Sequence, residues 1–180
     1  MRRIIVDVEA TCWENSSWQR RQQMEIIEIG AVRLGQDLDV IDEFGSFVQP
    51  VAHRQLSPFC KELTSITQAD VDSADLFPVV FHRFLDWIGD DAHAICSWGA
   101  YDLGQFELDA KRSGMRLPGW FAEQHVNLKA EFASWSGVRR CGMAKALDHL
   151  GLPLDGVHHR GIDDARNIAR IAQRMFRQDA

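Results

Sequence analysis

The chain has 180 residues, of which 46% are hydrophobic and 26% charged, with 13 Gly and 5 Pro, a composition that excludes fibrous and disordered classes. One domain over residues 1–180 is expected at this length; no apolar run approaches the roughly 18 residues of a membrane span, and the N-terminus is unlike a signal peptide, so a cytoplasmic protein without membrane contact is expected. A net charge of −6 argues against a broad basic surface for nucleic acid, yet suits an enzyme that meets phosphates through bound cations.

Residues 3–8 form a β-branched run of strand length, followed by a polar, tryptophan-bearing loop. Residues 25–34 and 39–48 are strand-like and flank the turn-forming stretch at 35–38, which predicts an antiparallel meander of three strands. Ser57 and Pro58 then read as N-cap and N1, Thr67 with Asp70 as a capping box, and Pro78 as the opening of an amphipathic helix. A strand at 93–98, a helix at 103–113 ending at Gly114, a short strand at 126–128 and helices at about 142–150 and 162–177 complete the order. In the last helix Ile162, Ala165, Ile168, Ala169, Ala172, Met175 and Phe176 share one face. The expected fold class is α/β, a mixed five-stranded sheet with helices on both faces. Cys12, Cys60, Cys96 and Cys141 lie far apart, without a C-x-x-C pair, and are read as reduced thiols.

Asp7 and Glu9 stand two apart near the end of the first strand, so both carboxylates point to one face. Two close anions on a buried strand repel unless a cation or proton intervenes; the plain alternative is a solvated strand end. Asp102 ends a second apolar strand, where open α/β sheets bind ligands, or else it caps the following helix. Asp163 and Asp164 point about 100° apart on a helix, and Asp164, four before Ile168, is the one predicted to face inward. Four acids with a loop histidine favour oxygen-ligated Mg²⁺ or Mn²⁺ over Zn²⁺. Two such ions roughly 4 Å apart can activate water for phosphodiester cleavage, and a histidine can take its proton.

Asp7-Val-Glu9-Ala-Thr-Cys12, Trp98-Gly-Ala-Tyr-Asp102 and His159-Arg-Gly-Ile-Asp-Asp164 resemble the three motifs of the DEDDh exonuclease superfamily. Phe47-Val-Gln-Pro50, Gln55-Leu-Ser-Pro-Phe-Cys60, Leu63-Thr-Ser-Ile-Thr-Gln68 and Asp163-Asp-Ala-Arg-Asn-Ile-Ala-Arg170 resemble its histone-mRNA three-prime exonuclease branch, from Arg3 to Met175. The resemblance implies an RNase H-like fold, two Mg²⁺ ions replaceable by Mn²⁺, and 3′ to 5′ release of 5′ mononucleotides from single-stranded RNA, with DNA ends as a further substrate. It implies Asp7, Glu9, Asp102 and Asp164 as metal ligands and His159, with His158 a bystander, as general base. It also implies Phe59 and Tyr101, with the Glu9-Ala10-Thr11 segment, as contacts for the terminal nucleotide. Ser65 departs from the family's Gly, and the extra nucleic-acid-binding domain of eukaryotic members is not expected in a chain of this length.

Two other classes share parts of this pattern. An aspartyl-phosphate phosphohydrolase would use Asp7 as nucleophile with Glu9 and Thr11 nearby, but normally has Asp at the second position and has no role for His159. A non-catalytic nucleic-acid-binding module would keep the fold without the chemistry, and the negative charge disfavours it.

Overall fold

The computed structural model describes residues 2–15, 17–89 and 93–177, so both ends of the expected 1–180 span lie outside the described residues. Strand β1 (Arg2–Ala10) is the centre of the sheet. It pairs antiparallel with β2 (Ile26–Leu34), which pairs antiparallel with β3 (Val40–Phe47); the short helix α1 (Trp18–Arg21) lies in the intervening loop. On its other edge β1 runs parallel to β4 (His93–Ser97), which runs parallel to β5 (His125–Asn127). The strand order is β3-β2-β1-β4-β5, the mixed five-stranded sheet expected.

The remaining elements are helices on both faces. Along β1 the side chains alternate: Ile4, Val6 and Val8 enter one core and Ile5 the other. The first face is covered by α4 (Phe77–Ile88), α5 (Tyr101–Arg112) and α6 (Gly119–Glu123), whose Phe81, Phe84, Phe106 and Phe121 form an aromatic block. The second is covered by α7 (Leu128–Ser136), α8 (Met143–His149) and α9 (Gly161–Arg177), through Leu128, Phe132, Leu147, Ile168 and Ala172. Buried apolar area on this scale, at about 25 cal/mol per Å², is the main stabilising contribution.

A smaller core around Ile27, Leu56, Cys60, Ile66 and Val71 seats α2 (Pro58–Thr64) and α3 (Gln68–Asp72). The caps read from sequence are formed: Ser57 accepts from the Cys60 N–H, and Thr67 and Asp70 close a capping box. Ser65 ends α2 at φ 59°. That left-handed conformation is one Gly adopts more readily than Ser.

Two expectations are corrected. The segment from 128 to 136, not predicted as a helix, is α7, capped by the Asn127 side chain on the Ala130 N–H; α6 likewise lies within the expected loop. Helix α5 begins at Tyr101 with Ala100 as N-cap, so Asp102 sits in the first turn and is not a cap.

Candidate active site

The alternation of β1 decides where the carboxylates go. Asp7 and Glu9 share the parity of Ile5 and therefore point to the face covered by α9. The pairing of β1 with β2 shifts register between Glu9 and Ala10, a bulge-like irregularity at the carboxylate pair. Directly across from Asp7 is Gly30. A Cβ there would lie 2.1 Å from the Gly161 carbonyl carbon, and one on Gly161 would lie 3.1 Å from the Asp7 carbonyl oxygen. Only two glycines permit the first turn of α9 to rest directly on the sheet.

This contact brings Asp164 to the strand. One carboxylate oxygen each from Asp7, Glu9 and Asp164 lie within 4.8 Å of one another. Asp164 is 4% exposed, the inward orientation expected. Asp163 points away, accepting from the Val157 N–H and from Arg166. Asp102 stands outside the three-acid group; its Oδ1 accepts the Val8 N–H at 3.1 Å, which ties the start of α5 to β1 between the two strand acids.

The histidines arrive from the loop before α9. His159 has φ 65°, a left-handed backbone uncommon outside glycine, and its N–H donates to Asp164 Oδ2 at 3.0 Å. Its ring stacks on His158 with centroids 3.9 Å apart. It is His158 whose Nδ1 lies 2.9 Å from Asp164 Oδ2, a contact at odds with its reading as a bystander. Burial and the neighbouring His158 hold the His159 imidazole below its usual pKa, opposed by Asp164.

Electrostatically the acids form one unit. Burial, then the charges of Asp102, Glu9 and Asp164, pushes the Asp7 carboxyl well above the usual range. Burial and Asp164 push Glu9 up to about 8, burial raises Asp164, and burial raises Asp102 to about 6 against the Val8 hydrogen bond. After burial, the strongest influences on Asp7 and Glu9 are other acids. The clustered hard oxygen donors of Asp7, Glu9 and Asp164 fit a divalent cation of the Mg²⁺ type, and His158 and His159 add ring nitrogens within 4.8 Å of an Asp164 oxygen, in a second group at that acid.

These residues line a cleft of about 930 Å³ together with Trp98, half-exposed Tyr101 and the segment from Arg139 to Lys145. Other positions from the sequence reading lie elsewhere. Phe59 is half-buried on α2, outside the cleft lining. Ala10 and Thr11 are buried, Thr11 exchanging hydrogen bonds with Glu25 across the hairpin, so its hydroxyl does not face the cleft as the phosphohydrolase pattern would need.

Sequence reasoning missed Glu28. It lies opposite Glu9 on β2, is 3% exposed, and receives Arg160 Nε, Arg160 Nη2 and the Gly161 N–H. It thereby clamps the residues joining His159 to α9. Its spacing from Gly30 along β2 was the available signal, but its partner lies 132 residues away.

Comparison with known proteins agrees with this geometry. Residues 4–172 match the family described as exonuclease, RNase T type. The chain is 32% identical to the 3′-5′ exonuclease Snipper of Drosophila melanogaster, covering 98% of this chain and 70% of that protein. It is 36% identical to 3′-5′ exoribonuclease 1 of Homo sapiens over 96% of this chain, and spans about half, 51%, of that protein's length. The nuclease domain of 3′hExo, a DEDDh family member bound to rAMP, superposes with a TM-score of 0.92 at 35% identity, covering 98% of this chain and 92% of that one. The fold is therefore RNase H-like, as in those exonuclease structures. By sequence, by fold and by the three acidic motifs, the chain belongs to the DEDDh branch of the exonuclease family, whose members are divalent-metal dependent.

Proposed function

We propose that the chain is a 3′-5′ exonuclease that removes 5′ mononucleotides from the 3′ ends of single-stranded RNA. The observation that carries this reading is the convergence of Asp7, Glu9 and Asp164 within 4.8 Å, on the wall of a cleft large enough for a terminal nucleotide. Asp7, Glu9, Asp102 and Asp164 would hold two Mg²⁺ ions, with Mn²⁺ able to substitute. When bound, these would supply Lewis-acid stabilisation of the phosphodiester oxygens and lower the pKa of the attacking water.

The chain's own groups do the rest. His159, kept neutral near pH 7 by burial and by His158, accepts the proton of the attacking water at its imidazole. Asp164 holds the His159 N–H and the His158 ring, so it fixes the loop that carries the base. Glu28 fixes that loop from the other side through Arg160 and Gly161. Tyr101, on the cleft wall and half-exposed, offers a ring for the terminal base; stacking of this kind is worth roughly 1–3 kcal/mol per base and tolerates any base. All four thiols are unpaired, which supports a reducing, cytoplasmic place of action.

The reading is tested by incubating a 5′-labelled linear RNA, the same RNA ligated into a circle, and a matched DNA, with Mg²⁺ and then with EDTA. A descending ladder from the linear RNA, an intact circle and no cleavage in EDTA are expected. Cutting of the circle at a similar rate would show an endonuclease, and undiminished activity in EDTA would end the metal-dependent reading.

A further inference from the structure

The lining of the cleft divides by charge. β1, α5 and α9 contribute the acids, and the connection from α7 to α8 contributes Arg139, Arg140 and Lys145. That connection is built to hold its cations outward. Gly137, at φ 72°, ends α7, and Val138 and Cys141 pack against the core of this face. The Trp98 indole N–H donates to the Cys141 carbonyl at 3.0 Å, tying the connection to the strand exit that leads to Asp102. Between these anchors Arg139 and Arg140 are exposed. On α8, Met143, Ala146 and Leu147 face the core and Lys145 faces solvent.

Elsewhere the arginines are of two kinds: among the described residues Arg21, Arg54, Arg116 and Arg174 meet no acid but stand apart from one another, and others are paired. Arg83, Arg112, Arg160, Arg166 and Arg177 each meet a carboxylate. Arg139, Arg140 and Lys145 have no hydrogen bond or ion pair among the described residues, even with the acids of their own cleft. Like charges gathered without a counter-ion favour an incoming anion, and in a chain of net charge −6 the attraction for a polyanion has to be local.

We infer that Arg139, Arg140 and Lys145 form the track that holds the backbone phosphates of the strand upstream of the scissile bond. The inference rests on the exonuclease reading for the position of that bond. Phosphate contacts of this kind are indifferent to sequence, and each one made to a single strand contributes about 0.7 to the salt slope of binding.

The test compares the wild type with Arg139→Ala/Arg140→Ala and with a charge-matched control outside the cleft, Lys111→Ala/Arg116→Ala. Two substrates are used: a labelled RNA of about 12 nucleotides, and a nucleoside 5′-phosphate p-nitrophenyl ester that has no upstream strand. For the RNA, KM should rise about tenfold with kcat retained, and the slope of log(kcat/KM) against log[salt] should shallow by about 1.4. The ester should lose less than about twofold, because it has no phosphate to reach the track. Anisotropy of the same labelled RNA with Ca²⁺ in place of Mg²⁺ reads binding without hydrolysis. If wild type binds with the steeper slope but hydrolyses neither substrate, the exonuclease reading falls and the track stands. If the double variant binds RNA as the wild type does, or if its loss is as large on the ester as on the RNA, the track is overturned.

Discussion

Two sets of carboxylates at this sheet meet opposite fates. At the start of β2, Glu25 receives the N–H groups of Val51, Ala52 and His53, and the nearby Asp109 receives Gln105, Arg112 and the Ile26 N–H. Each is under 5% exposed and saturated with donors, the arrangement in which a buried anion stabilises a fold. At the adjoining C-terminal end of β1 the acids face one another, and Glu9 is pushed up to about 8 by burial and by Asp164. The same residue types thus act as struts where they are fully buried and donor-filled, and as an unbalanced charge at partly exposed Asp7 and Glu9. The lesson is that burial alone does not mark a functional acid; at Asp7 and Glu9 the mark is a surrounding of other acids.

Exchanging the two sets for neutral isosteres should separate them most strongly. Glu9→Gln should reduce RNA hydrolysis about 10³-fold or more, since several kcal/mol of charge stabilisation go with the metal, while raising the Tm of the EDTA-treated protein by relieving repulsion. Glu25→Gln should do the reverse, lowering Tm by roughly 4–8 °C for a loss of about 2 kcal/mol while hydrolysis persists. Calorimetry and initial rates check both, and a fall in metal-free Tm for Glu9→Gln would break the comparison.

The histidines sharpen it further. His159→Ala should lose about 10²–10⁴-fold in kcat, the usual range for a positioned base, with substrate binding little changed. His158→Ala should lose less, through a looser Asp164. If the two losses come in the opposite order, the base is His158, whose ring already touches Asp164.

The smallest effect is one of pH. Glu9 is raised from an ordinary 4.5 to about 8, and Asp7, Asp102 and Asp164 are raised with it. A carboxyl with a raised folded pKa adds stability below its unfolded value and loses it as pH climbs through the folded one. Tm in EDTA should therefore fall by a few degrees between about pH 5 and pH 8.5, and Mg²⁺ should raise it more at the alkaline end. A flat profile in EDTA would show that the acids do not share protons in the folded chain.

Much of this arrangement was legible beforehand, for local reasons. Period-two alternation set Asp7 and Glu9 on one face, and the apolar stripe of α9 turned Asp164 inward. Cap chemistry at Ser57 and Thr67 fixed two helix starts. What escaped depends on distant partners or weak periodicity. Helix α7 buries only Leu128 and Phe132, too little for a pattern, although Asn127 was a readable cap. The hold of Asp102 on Val8, the clamp of Glu28 on Arg160 and the positive φ of His159 are set by tertiary contacts that a linear reading does not contain.

The contact between Gly30 and Gly161 has one more implication, for how such a chain can change over time. The distance between the strand acids and the helix acid is gauged by two bare backbones touching. The hydrophobic residues behind them, such as Ile168 and Ala172, can therefore drift in size, altering stability while leaving the gauge untouched. One methyl group added at position 30 would instead wedge α9 off the sheet and part the acids at the same stroke. Heritable variation in robustness and in chemistry is thus divided between separate sets of positions, and a lineage can adjust the first without forfeiting the second.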